Sequence, residues 1–402
     1  MRVTTSMLYD AGTRSMMERQ SELLRTQTQL STGRRMLAPS DDPVAASQAL
    51  AVSQARDVTS QYQANVAAAN DALATAEGAV ADLVGAYDGI REIILQAGNA
   101  SLNDADRRSL AADLRERFAH VLQVANRQDG VGRALFAGYL EESVPFVDDG
   151  TTVAYAGDQG VRALAISASR ELPVGVSGTT LFQGIPVGNG TFETGAAAAN
   201  AGDASIGTGS VVDPAQLTGR DYQVVFTVIG ATTTYAIVDT TLGVTLSSGN
   251  PYTSGASILV DGQQVRVAGV PADGDAFTIA PATRQDVFRT IRDLVGVLET
   301  PTTSAPARGN LATGLERALA SLDQASERAL GVRTRFGAGL RELETMAAAH
   351  EGLAVEYDRQ LSRLQDLDYA QAISDFTREQ QALEAAQKSF KATTQLSLFA
   401  LL

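Results

Sequence analysis

The chain has 402 residues, long enough for two or three domains, and carries 32 basic against 46 acidic groups for a formal net charge of −14. A surface this acidic argues against wrapping nucleic acid or coating an anionic membrane, because both need basic patches. With no cysteine, and with His120 and His350 far apart, disulfides, thiolate nucleophiles and the common zinc centres are excluded.

The N-terminus has no continuous apolar core and no small-residue cleavage site, so it does not read as a secretory signal. No stretch reaches the roughly 18 apolar residues of a membrane span. The expectation is a soluble chain, or one exported by a route that leaves the N-terminus intact. Charge divides the chain into thirds. Residues 1–145 hold 14 basic and 18 acidic groups, residues 146–282 hold 4 and 12, and residues 283–402 hold 14 and 16. The outer thirds are rich in Ala, Leu, Gln and Arg. The middle is sparsely charged and rich in Gly and Thr, so a helix–strand–helix division is expected.

Tyr9, Met16, Leu23, Leu30 and Leu37 recur every seven residues and predict a first helix with one apolar seam, interrupted at Pro39 and Pro43. Asp42 followed by Pro43 predicts an N-cap with proline at the first helical position. Tyr62, Val66, Ala69, Leu73, Ala76, Val80, Leu83, Tyr87, Ile90 and Ile94 then alternate spacings of four and three, a sustained seam that stops at Gly98-Asn99. Asn103-Asp104 predicts the cap of a third helix to about Asn126, with Leu110, Leu114, Phe118, Val121 and Leu122 on its apolar side. In the middle third, Tyr222–Ile229, Tyr235–Val238, Ser257–Val260 and Val265–Val267 read as strands, with Asp261-Gly262 as a hairpin turn. Residues 188–210, rich in Gly, Ala, Asn and Thr, read as a long loop. A short helix is expected at Gln285–Leu298, and Pro301 and Pro306 bracket a polar linker. The four–three pattern then returns from Leu311 to Leu367, a helix of about 80 Å at 1.5 Å per residue. A last helix starts near Asp368 and carries Ile373, Phe376, Leu383 and Phe390, with Gln380 and Gln387 at core spacing. The chain ends Leu396-Ser397-Leu398-Phe399-Ala400-Leu401-Leu402.

The fold expected is mainly α with an inserted β domain. Long N- and C-terminal helices pack as an antiparallel coiled-coil bundle, and the central domain is a sandwich or barrel of short strands. The terminal helices have narrow, partly polar seams and an apolar tail. Such surfaces are covered by folding back or by other subunits, and here they favour assembly between subunits.

Alternative chemistry is thin. Asp41-Asp42 reads as a turn plus N-cap rather than an acid–base or metal pair, since no His or Cys is near. His350 sits at a seam position, as a buried core histidine does, and His350-Glu351 lacks the second histidine of a zinc-protease motif. His120 lies one turn from Glu116 as a surface pair. Asn189-Gly190-Thr191 matches a glycosylation acceptor, a short pattern with many false matches. No catalytic, metal or cofactor site is expected, and the chain does not read as an enzyme.

The stretch Leu30-Ser31-Thr32-Gly33-Arg34-Arg35, followed by Pro39-Ser40-Asp41-Asp42-Pro43-Val44-Ala45-Ala46, resembles the N-terminal signature of the flagellin superfamily. Ala385-Ala386-Gln387-Lys388-Ser389-Phe390 and Leu396-Ser397-Leu398-Phe399 look like its C-terminal signature. Ala134-Leu135-Phe136-Ala137-Gly138-Tyr139 with Pro145-Phe146 and Tyr155-Ala156-Gly157-Asp158, and Gln365-Asp366-Leu367-Asp368-Tyr369-Ala370-Gln371-Ala372-Ile373, resemble the superfamily's hook–filament junction branch. The likeness covers about 1–180 and 285–402.

The resemblance implies a structural part of the bacterial flagellum, exported without a cleaved signal and located outside the cell. It would form a ring of identical subunits on hook-associated protein 1 and receive flagellin, after being held by a chaperone on its C-terminal region. No nucleic acid, membrane or cofactor is implied. The division expected is 1–43 with 368–402 as terminal inner-core helices, 44–145 with 283–367 as the coiled-coil bundle, and 146–282 as the outer β-rich domain. Assembly residues are Leu23, Leu30, Leu37, Ile373, Phe376, Leu383, Phe390, Leu398 and Phe399. Gly33, Ser40, Asp41, Asp42 and Pro43 form the helix-turn signature. The alternatives are flagellin itself, favoured less by the 134–158 motifs, and a stalked extracellular binding module.

Overall fold

The structure is a computed structural model describing residues 5–399. In chain order, α1 (Thr5–Thr32), α2 (Pro43–Ala97) and α3 (Asp104–Ala125) precede the strands, and α5 (Val287–Glu299), α6 (Ala305–Gln365) and α7 (Tyr369–Phe399) follow them, with the short α4 (Gly178–Phe182) between. The chain divides into two compact units, Met1–Asn65 with Thr345–Leu402, and Val66–Glu344.

In the first unit, α1 ends at Thr32, five residues before the Leu37 that the seven-residue spacing included. The reason is Gly33, whose φ of +70° is the left-handed conformation that closes a helix, with its N–H donating to Gln29 O at 2.8 Å. Leu37 therefore lies in a turn, 39% exposed, rather than on a helical seam. The cap at Asp42 forms as read: its Oδ1 accepts from Ala45 N at 2.9 Å, and Pro43 opens α2. Asp368 caps α7 in the same way, accepting from Ala370 N and Gln371 N.

In the second unit, the expected seam of α2 is buried from Val66 through Leu73, Val80, Leu83, Tyr87 and Ile94. On α6, Leu315, Leu322, Ala329, Val332, Phe336 and Leu343 are buried at the same spacing. The two helices run antiparallel. Glu77 meets Arg333 at 2.6 Å, and Arg91 pairs with Asp323 further along. Asn103 and Asp106 form a reciprocal capping box at the start of α3, which packs on α5. Pro306 lies inside the first turn of α6 rather than in a linker, where a missing N–H costs no helical bond.

The β region begins with two hairpins, β1 (Phe146–Asp148) with β2 (Val153–Tyr155) and β3 (Ala163–Ser167) with β4 (Arg170–Pro173). Then come β5 (Ile185–Pro186), β6 (Phe192–Ala196), β7 (Ser205–Ile206), β8 (Ser210–Val211), β9 (Tyr222–Ile229), β10 (Thr232–Asp239), β11 (Val244–Pro251), β12 (Ser257–Val260), β13 (Gln263–Ala268), β14 (Ala276–Pro281) and β15 (Arg284–Gln285). An antiparallel sheet of order β11-β10-β9-β14-β6 and a smaller one of order β12-β13-β7, with β8 on β13, share one core. Phe192, Val224, Phe226 and Phe277 from the first sheet meet Ile206, Ile258 and Val265 from the second. The loop expected at 188–210 instead holds β6 and β7. Phe192 and Thr194 alternate inward there, a signal diluted by the surrounding small residues. Asp261 and Gly262 have φ of +51° and +72°, as a two-residue hairpin turn requires, with Val260 opposite Gln263.

The acidity of this region has a local cause. Asp149, Asp158, Asp213, Asp239, Asp273 and Asp275 each accept main-chain N–H bonds in turns and strand ends. They satisfy orphan donors where strands stop.

Candidate assembly interface

The terminal helices α1 and α7 pack on each other. On α7 the inward positions are Ala372, Phe376, Glu379, Leu383, Ala386 and Phe390, alternating four and three. On α1 they are Gly12, Met16, Leu23, Thr26 and Leu30. Phe390 is held by one of them, Gly12, and by Tyr9. Its ring meets Tyr9 edge-on with centroids 5.6 Å apart, and a Cβ on Gly12 would come within 2.5 Å of its Cδ2. Thr26, buried, donates from Oγ1 to Glu379 Oε2 at 2.8 Å.

The seam is narrower than the residues singled out for it. Phe376, Leu383 and Phe390, spaced by seven, are half-buried against α1, with Leu23 and Leu30 opposite. Ile373, Gln380 and Gln387, also spaced by seven, lie on the outward side, with Ile373 55% exposed. The two rows differ by three residues, or about 60° around the helix at 100° per residue, and only one faces the partner. Leu398 and Phe399 have side chains outside the described residues. On α1, Met7, Met17 and Leu24 are exposed large apolar residues that the α1–α7 contact leaves uncovered. Sequence reasoning passed over Gly12, Thr26 and these three. The available signals were a glycine inside a helical pattern and apolar residues off the seven-residue row.

Two signature segments that lie far apart in sequence meet beside this pair. Arg35 N donates to Gln365 O at 2.8 Å, Leu367 N donates to Gly33 O at 2.9 Å, and Arg34 bridges Asp366 antiparallel. The Arg35 guanidinium donates to Leu364 O at 3.1 Å and lies 3.5 Å from Asp42, while the Gln29 amide donates to Arg35 O. A Cβ on Gly33 would stand 2.9 Å from the Tyr369 hydroxyl. One clasp thus gathers the end of α1, the start of α2, the end of α6 and the start of α7. Asp41 belongs to it. Its carboxylate accepts from Leu37 N and Ala38 N and pairs with Arg25 at 3.1 Å. The two N–H donors first, and then the arginine, hold its pKa below the usual carboxylate range. Ser40 and Pro43 are exposed in the same turn.

In the second unit, the segments at 134–139, 145–146 and 155–158 fold into one knot. Phe136, Ala137 and Phe146 are fully buried. Gly178 N donates to Phe136 O, Asp158 N to Ala137 O, and Ala156 N to Pro145 O, at 2.8, 3.0 and 2.8 Å. The Tyr155 hydroxyl lies 2.6 Å from Asp158 O and 2.9 Å from Phe136 O, and burial raises its pKa. The rings of Phe146, Phe182 and Phe288 have centroids within 6 Å of one another, with Phe182 and Phe288 stacked and Phe146 edge-on to Phe182, and Arg292 covers Phe118. This arrangement anchors the β1–β2 hairpin to α3 and α5. Its polar groups are hydrogen-bonded to one another.

The remaining candidates are tied into the local packing or lie on the surface. His350 is buried and stacked on Tyr62 at 5.8 Å. Asn189 accepts from Thr191 N and Phe192 N and donates to Thr208 O and Gly209 O, which ties its amide into the turn. His120 and Glu116 are exposed on α3. Among the described residues no group of His, Cys, Asp and Glu is placed to hold a metal ion, and no helix is long and apolar enough to cross a membrane.

A family model described as the bacterial flagellin N-terminal helical region matches residues 3–141. Flagellar hook-associated protein 3 of Escherichia coli (strain K12) is 27% identical over 402 residues, covering 100% of this chain and 99% of that protein. The protein of the same name from Salmonella typhimurium is 26% identical with the same coverage. The crystal structure of flagellar hook-associated protein 3 from Legionella pneumophila superposes with a TM-score of 0.74 at 29% identity, over 78% of this chain and 98% of that one. That of FlgL from Xanthomonas campestris does so with 0.72 at 28%, over 77% and 99%. The likeness to the superfamily and its junction branch, read from the signature segments, is borne out.

Proposed function

We infer that this chain is a flagellin-superfamily protein of the hook-associated protein 3 kind, and from that premise we propose that it is a structural component of the flagellar hook–filament junction. The observation that carries this reading is the end-to-end match to proteins bearing that name, under which the flagellin alternative is set aside. The chain joins hook to filament, is required for filament assembly and motility, and performs no catalysis. Its partners are copies of itself in a ring, hook-associated protein 1 below, flagellin above, and before export a chaperone on the C-terminal region. It is exported without cleavage and resides outside the cell. In the assembly, 1–43 and 368–402 form the inner core, 44–145 and 283–367 an antiparallel coiled-coil layer, and 146–282 a sandwich- or barrel-like outer domain.

The α1–α7 pair supports this reading. A narrow half-buried seam with Met7, Met17, Leu24 and Ile373 uncovered is what remains when neighbouring subunits complete a helical layer. The seam residues Leu23, Leu30, Phe376, Leu383 and Phe390 hold the pair together. Leu37, Ile373, Leu398 and Phe399 are assigned to contacts between subunits. Gly33, Ser40, Asp41, Asp42 and Pro43 form the turn that joins α1 to the start of α2.

Immunogold microscopy of intact flagella with an antibody to residues 181–284 tests the function. Gold in a narrow band between hook and filament is expected. Gold along the whole filament makes the chain a flagellin, and no gold on flagella returns the stalked binding module to first place. Phe390→Asp places a carboxylate against Tyr9 and Gly12. It should leave the β region folded and abolish incorporation, and normal motility with that variant contradicts the assembly role.

A further inference from the structure

Sulfur in this chain is distributed unevenly. There is no cysteine, and five of the six methionines, Met1, Met7, Met16, Met17 and Met36, lie in the first 36 residues. Met346 is the exception, and it is half-buried on α6. On α1, Met16 faces α7 and is half-buried, whereas Met7 and Met17 are 62% and 64% exposed. The most exposed methionines among the described residues therefore sit on the face of α1 that the α1–α7 pair leaves uncovered, as apolar side chains among polar ones. A thioether there has two properties. It is soft and adaptable, suited to packing against an irregular partner surface. It is also open to two-electron oxidants, which turn it into a polar sulfoxide that such packing rejects.

We propose that Met7 and Met17 form an oxidation-sensitive modification site that blocks assembly when the free subunit meets a peroxide. The step is oxygen transfer. Each thioether sulfur attacks one peroxide oxygen, the O–O bond breaks, one S–O bond forms, and water leaves; sulfur is oxidised and peroxide reduced. Subunits already assembled are protected, because the same sulfurs are then packed away. The idea rests on the reading of the α1–α7 face as an assembly surface.

The test treats the purified full chain with hydrogen peroxide and maps sulfoxide by peptide mass spectrometry. Met7 and Met17 should oxidise at least about tenfold faster than Met346. Equal rates at the three positions overturn the proposal whatever the chain assembles into. The second arm supplies the chain to cells lacking it and measures incorporation into flagella. Untreated chain should incorporate, peroxide-treated chain should fall at least about tenfold, and treated Met7→Leu/Met17→Leu chain should incorporate like untreated wild type. Treated wild type that incorporates normally, or a treated double variant that fails like wild type, overturns the proposal. Untreated chain that never incorporates instead counts against the junction function, and the oxidation rates still decide whether the site exists.

Discussion

Gly138→Ala should be among the most damaging single-methyl changes in the molecule. Gly138 has φ of +75°, which costs an L side chain about 1–2 kcal/mol. An added Cβ would fall 2.0 Å from Asp158 Oδ1 and 2.6 Å from Asp158 O, so the Asp158 segment must move. That carboxylate accepts from Tyr139 N at 2.9 Å and from Gly160 N at 2.7 Å. Hydrogen bonds to a charged acceptor contribute about 1.5–3 kcal/mol each. Losing one of the two and adopting the strained backbone gives roughly 2.5–5 kcal/mol, a large share of the ~5–15 kcal/mol that holds a typical domain folded. Urea unfolding followed by circular dichroism measures it, and in a thermal scan the midpoint should fall by about 10 °C. Gly130→Ala is the control, since Gly130 has no atom within 4 Å of an added Cβ and no left-handed φ. It should shift stability by less than about 0.5 kcal/mol. A Gly138→Ala variant within about 1 kcal/mol of wild type would show that the knot tolerates displacement of Asp158, and the packing argument for the 134–158 segments would fail.

Acid should loosen the junction of α3 with the α5–α6 link. Asp104 is held down at about 2 by bonds from Arg107 and from the Thr302 hydroxyl and N–H. A depressed carboxylate stabilises fully above its unfolded value near 3.9 and loses that contribution as pH falls through about 2. Asp104→Asn should therefore flatten the stability-versus-pH curve between about pH 4 and pH 2, and an unchanged acid limb refutes the assignment. Leu83→Ala, at a fully buried seam position of α2, should cost about 2–5 kcal/mol in denaturant unfolding, and a loss under 1 kcal/mol would place that position at the surface.

The helices and their caps were legible because they rest on local chemistry. Asp42-Pro43, Asn103-Asp104 and Asp368 stop or start helices through bonds spanning two to four residues, and Asp261-Gly262 makes its hairpin from its own backbone preferences. The seam from Val66 to Ile94 was equally legible, since spacing by three and four defines a face on any helix. Which face meets which neighbour is a different question. The row of Ile373, Gln380 and Gln387 and the row of Phe376, Leu383 and Phe390 have the same period, and only the position of α1 makes one inward and the other outward. Likewise Leu37 continued a seven-residue row on paper, but Gly33 had to turn there to meet Leu367 and Tyr369, more than 330 residues away. The strand at Phe192–Ala196 is defined by its pairing with Ala276–Pro281, and the alternation of Phe192 and Thr194 is too short, among small residues, to mark it alone. Periodicity and capping are properties of the segment that carries them. The choice among equivalent faces and the clasp depend on pairings across hundreds of residues, and the knot at Asp158 on pairings across about 20 to 40, which the fold alone brings within bonding distance.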